Sequence, residues 1–180
     1  KALAGTLGID RNTCFIAATG VIGEPLADPN YIGSFVPDLA SRLATPDWQA
    51  CARAFMTTDT YPKASGRTVD LAGTPTAFAG IAKGSGMIAP NMATMLSYVF
   101  TDAAIDADLL QDLLEDVADE TFNSITVDGD TSTSDTLMVF ATGATGEPAI
   151  ETREDERFPA FAAALHATCL DLALQVVKDG

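Results

Sequence analysis

A hydroxyl that carries its own base is the chemistry left open by the side-chain inventory of this 180-residue chain. A Ser-His-Asp or Cys-His enzyme needs an imidazole, and the chain has a single histidine. That residue, His166, lies among Leu165, Cys169 and Leu170 on an apolar helical pattern, which reads as structural. One histidine also removes the common two-histidine zinc motifs within the chain. Thr94 offers another route. If the Ala93–Thr94 peptide is cut, the new α-amine, with a pKa of about 7.7 to 8, is partly neutral near pH 7. It then accepts the proton of the same residue's hydroxyl. Before the cut, the hydroxyl attacks the Ala93 carbonyl and turns the amide into an ester that water opens. Small Ala93 and the glycine-rich approach ease the distortion. On residue types alone Thr94 reads first as a β-branched strand former, with the nucleophile as the alternative.

The other constellations are weaker. Lys83-Gly84-Ser85-Gly86 looks phosphate-binding, but G-x-x-x-x-G-K-[ST] is absent. The polar loop 128–135 has Asp128 and Asp130 where a calcium loop begins, yet position six is Thr133 and position twelve is Val139, so a solvated turn is the expectation. Cys14, Cys51 and Cys169 are far apart and without a CxxC pair, which argues against a zinc site or a disulfide framework and favours a reducing, cytoplasmic setting. No metal and no cofactor is expected. Ten Lys and Arg against 25 Asp and Glu give a formal charge of -15, which repels phosphates and anionic lipid, so nucleic-acid and membrane-surface roles are not expected. An anionic substrate would need a local exception to that field. The apolar stretch 87–100 is interrupted by Pro90, Asn91 and Thr94, so no membrane span is expected. No basic-then-apolar leader opens the chain, but Lys1 is not a start residue, so the beginning is left unread.

The elements that must hold these residues are read from periodicity. Residues 13–18 are β-prone and lead into a turn at Gly20 and Gly23. Helices are expected over 34–44 and 46–55, the second with Thr45 as N-cap and Pro46 at its first position. A hairpin is expected from 67–72 and 76–82 around Gly73-Thr74-Pro75, then a connection at 84–91 and a strand at 95–100. Asp106 should cap a helix with Leu109, Leu110, Leu113, Leu114 and Val117 on its inner face. A strand at 136–141 and a helix at 159–178 complete an α+β domain in which helices cover an antiparallel sheet.

Four words resemble the ornithine acetyltransferase family, also called glutamate N-acetyltransferase: ATGVIGEP at 18–25, MTTDT at 56–60, KGSGMIAPNMATML at 83–96 and TVDGDTST at 126–133. They occur in order over practically the whole chain, and NMATML is specific to that family's self-cleavage site. The resemblance implies a break between Ala93 and Thr94. It implies that Thr94 takes acetyl from N-acetylornithine as an ester and passes it to glutamate in arginine biosynthesis, with ping-pong kinetics. It places Thr19 and Gly20 in the oxyanion hole and Thr57 and Lys83 in substrate binding, Lys83 supplying the positive charge an α-carboxylate requires. It implies a layered αββα-type sandwich like that of N-terminal-nucleophile hydrolases, whose cleaved α and β pieces self-associate into a heterotetramer.

Members of that family are roughly twice this long. Residues 1–180 are therefore expected to be a single partial domain spanning the junction, with N- and C-terminal parts absent, among them a substrate-binding Glu just beyond Gly180. The resemblance leaves acetyl-CoA open as a second donor. Two other readings remain: an N-terminal-nucleophile-like amidase or aminopeptidase, in which water takes the acyl group, and a non-catalytic module that binds calcium at 128–135.

Overall fold

A computed structural model of the chain describes residues 1–21, 23–43, 47–86, 95–129 and 134–180. They form two compact units, Lys1–Asp47 and Trp48–Gly180. In the first, helix α1 (Ala2–Leu7) ends at Gly8, whose φ of 67° is the left-handed stop that glycine accepts without strain. It packs on α2 (Tyr31–Ser41), where Gly33 lets the helices approach: a Cβ there would lie 3.5 Å from that of Ala2. Helix α2 starts three residues before the expected 34–44. The strand expected over 13–18 is not formed. A 3-10 turn occupies Arg11–Thr13, with the Asp10 carboxylate accepting the Asn12 N–H at 2.8 Å, and irregular backbone follows. A β-prone run becomes a strand only when a partner offers it a ladder, and all the ladders of the sheet join residues of the other unit. The turn after it is present, with Gly23 at φ 81° and the Glu24 N–H bonded to the Val21 carbonyl.

The second unit opens with α3 (Trp48–Ala54); the expected caps Thr45 and Pro46 lie outside the described residues. Strands β1 (Lys63–Leu71) and β2 (Thr74–Lys83) form the expected hairpin, but longer and with a tighter turn. Ala72 and Gly73 both have positive φ, the primed-turn geometry that matches strand twist. Strand β3 (Leu96–Thr101) pairs antiparallel with β2, and β4 (Thr136–Ala141) pairs parallel with β3, in the order β1-β2-β3-β4. The sheet is thus mixed, not antiparallel as expected, because α4 (Ala107–Glu120) lies between β3 and β4 and provides the crossover that a parallel pair requires. Asp106 caps α4 as the sequence predicts, its Oδ1 accepting the N–H groups of Asp108 and Leu109.

Helix α5 (Phe158–Val177) covers one face of the sheet. By length and composition alone it could cross a bilayer, where the sequence reading expects no span. Instead, Phe161, Leu165, Cys169, Leu172, Ala173 and Val176 are wholly shielded in the core. Burial pushes the Cys169 thiol up to about 12, which makes it inert. His166 pairs its Nε2 with Glu120 of α4 at 3.2 Å, a structural role. The opposite face carries Tyr98 and Phe100, packed against Phe55 and Trp48 with ring centroids 5.9 and 5.2 Å apart. Helices on both faces of a mixed sheet make this unit α+β, as expected.

Candidate active site

Strand alternation sends Lys63 and Lys83 to opposite faces at one end of the sheet. Lys63 is paired with Ala82, so the two lysines differ in parity: Lys63 points toward α5 and Lys83 toward the face that carries α3. Residues 57–60, between α3 and β1, wrap this end, and the Asp59 carboxylate ties them to it. Its Oδ2 accepts the Thr57 N–H at 3.1 Å, and its Oδ1 accepts the Gly84 N–H at 2.6 Å. Gly84 has φ 146°, a backbone that side chains disfavour, and so turns its N–H toward Asp59 immediately after Lys83. Lys83 Nζ in turn donates to Thr57 Oγ1 at 2.7 Å.

Lys63 completes the arrangement. Its Nζ lies 2.7 Å from Asp59 Oδ1 and 2.5 Å from Asp179 Oδ2, over the Tyr61 ring at 4.9 Å. Asp179, just past the end of α5, also accepts the Thr60 N–H at 3.0 Å and bonds the Thr60 hydroxyl. Nearby, the Gln175 carboxamide takes both the N–H and the carbonyl of Ala64, closing part of the exposed edge of β1. The two lysines therefore stand against two aspartates. Lys63 is wholly buried and Lys83 only 2% exposed. Burial opposes the charge on Asp59, but the Gly84 N–H, Lys63 and the Thr57 N–H together outweigh it and hold the carboxyl below its usual range. Burial pulls Lys83 below the ordinary lysine value, with Asp59 pulling the other way. The Lys83 ammonium is thus desolvated, where a carboxylate would meet it with little competition from water.

Thr57 and Lys83 are the predicted site residues that the structure brings together. Thr19 and Gly20 belong to the first unit, in the irregular segment after Cys14. Ala93 and Thr94 lie outside the described residues. The residue after them is held firmly: the Met95 N–H donates to Asp135 Oδ1 at 2.6 Å, and its carbonyl accepts the Thr136 N–H at 2.8 Å. Burial raises the Asp135 carboxyl above its usual value. Residues 130–133 of the calcium-like loop also lie outside the described residues. Among the described residues no group of three or more His, Cys, Asp or Glu is arranged to hold a metal.

Sequence reasoning missed Asp59, Lys63 and Asp179. The first two carry a readable signal: a four-residue spacing, and a lysine opening a strand on the same alternating face as Leu71. Asp179 carries none, because its role depends on where the end of α5 lands.

The comparisons agree with the quoted words. A family model described as the ArgJ family matches residues 1–180. A protein of Agrobacterium fabrum named arginine biosynthesis bifunctional protein ArgJ is 51% identical, over 100% of this chain and 44% of its own length. One of the same name from Rhizobium meliloti is 52% identical over 100% and 44%. The chain thus spans less than half the length of these curated relatives. A crystal structure of ArgJ from Bacillus halodurans matches 48% of this chain and 40% of its own, at 48% identity and a TM-score of 0.47.

Proposed function

This chain belongs to the ArgJ family, and we propose that the protein it comes from is a self-cleaving acetyltransferase of arginine biosynthesis, a glutamate N-acetyltransferase. The Thr94 hydroxyl, freed with its own α-amine by the break after Ala93, attacks the acetyl carbonyl of N-acetylornithine. The C–N bond breaks, ornithine leaves with the proton relayed by the amine, and acetyl stays on Thr94 as an ester. The glutamate amine then attacks the ester, N-acetylglutamate forms and the hydroxyl is restored. The Thr19 hydroxyl and the Gly20 N–H stabilise the tetrahedral oxyanions, a contribution of about 3 kcal/mol per donor. Lys83 and Thr57 bind the α-carboxylate. Acetyl-CoA as a second donor accords with the word bifunctional in the relatives' names. The cleaved pieces associate into a heterotetramer in the cytoplasm.

One observation carries this reading: the desolvated Lys83, bonded to Thr57 Oγ1, sits eleven residues before Thr94 within one continuous family word. In so acidic a chain a shielded, carboxylate-competent cation is the local exception the substrate demands. The test uses the full-length parent protein with N-acetylornithine and glutamate. Thr94→Ala should abolish both cleavage and transfer, and Thr94→Ser should keep part of each. Full transfer by the alanine variant overturns the mechanism, and release of acetate with no N-acetylglutamate assigns a hydrolase instead.

A further inference from the structure

We propose that Lys63 is a positioning residue for the Lys83 site: clasped by Asp59 and Asp179, its ammonium holds the 57–60 turn against Gly84 and thereby keeps Thr57 on Lys83. This rests on the reading of Lys83 and Thr57 as the carboxylate-binding pair. Lys63 itself touches no substrate in that reading, because it lies on the α5 face, across the sheet from Lys83.

The connectivity is short and complete. Lys63 Nζ meets Asp59 Oδ1, the same oxygen that takes the Gly84 N–H, while the other oxygen takes the Thr57 N–H. Asp59 thus fixes the backbone of Thr57 and of the residue following Lys83 with one carboxylate. On the far side, Lys63 meets Asp179, which also binds Thr60 through its N–H and hydroxyl. Both ends of the 57–60 turn are therefore tied to carboxylates that share one ammonium. Without that ammonium two buried carboxylates face each other with a lone Lys83 nearby, and their repulsion is strong where water is excluded. The turn then moves away, and Thr57 Oγ1 leaves Lys83. Pinning by a fully buried pair also means the site is preorganised before substrate arrives.

A merely structural lysine would lower stability without touching substrate recognition selectively, so the test reads KM against kcat. In the full-length parent protein, Lys63→Met should raise KM for N-acetylornithine about tenfold and leave kcat within about twofold. Lys63→Arg, which keeps the charge and two-sided donation, should recover most of that loss. In a Lys83→Ala background Lys63→Met should raise KM no further, since the contact it serves is already gone. Should Lys63→Met fail to fold, Asp179→Asn removes one clasping charge at constant shape and should raise KM about threefold, again only when Lys83 is present. An unchanged KM, or the same rise with and without Lys83, overturns the proposal. A wild-type protein that hydrolyses N-acetylornithine without acetylating glutamate refutes the acetyl-transfer reading alone, because KM of the hydrolysis still reports the same carboxylate contact.

Discussion

Lys83 owes its character to what surrounds it. At the end of a strand a lysine normally extends into water. Here the 57–60 turn folds over it, and Asp59 supplies the counter-charge that makes burial tolerable. The two aspartates carry a measurable consequence. Burial favours their neutral forms, yet Gly84, Lys63 and Thr57 around Asp59, and Lys63 and Thr60 around Asp179, outweigh it and hold both carboxyls low. An unfolded aspartate titrates near 3.9, so the unfolded chain takes up protons first on acidification. The stabilisation these pairs give is complete above about pH 5 and drains away as the pH falls through their folded values. In the parent protein, the melting temperature should therefore drop between pH 5 and pH 3. Asp179→Asn should melt lower at pH 7 and show a shallower acid slope; parallel slopes for the two proteins would contradict it.

At the scale of elements, the docking of α5 on the hairpin is what brings Asp179 to Lys63. Gly80, in the middle of β2, permits it: a Cβ there would come within 2.8 Å of Leu172 Cδ1, 3.2 Å of Thr168 Cγ2 and 3.3 Å of Val99 Cγ2. Gly80→Ala should cost about 1 to 3 kcal/mol in denaturant unfolding through overpacking. Gly66→Ala, whose nearest atom is Phe78 O at 3.9 Å, should cost nothing. Equal stability of the two variants would refute the packing argument. Periodicity made most of these elements legible: α4 with its Asp106 cap, β4 at its full length and α5 within a residue at each end. The 13–18 run misled because β-branched and aromatic content reports fitness for a ladder, not the presence of a partner. The parallel β3–β4 pair follows from the helix between them, whereas local hairpin signals point only to antiparallel neighbours. Within the site, Lys83 and Thr57 were legible through the family words. The Asp59–Lys63–Asp179 clasp was not, because it joins residues more than a hundred positions apart.

For the whole molecule, charge and chemistry pull against each other. A formal charge of -15 repels carboxylates at long range, so the proposed anionic substrates would need a cation stripped of water and aimed at them. Of ten lysines and arginines, Lys63 and Lys83 are the fully buried pair at one end of the sheet, one bracing the turn and the other facing the partner it offers. Met95, at the start of the described segment that leads into β3, is held between Asp135 and Thr136. One threonine is proposed to cut the chain and then to carry acetyl. Intact-mass spectrometry of the full-length protein, alone and after mixing with N-acetylornithine, tests it most directly. The expected result is two pieces, the second beginning at Thr94 and gaining the mass of one acetyl group with the donor. An uncut chain that transfers acetyl at full rate, or an acetyl group found on the first piece, would contradict it.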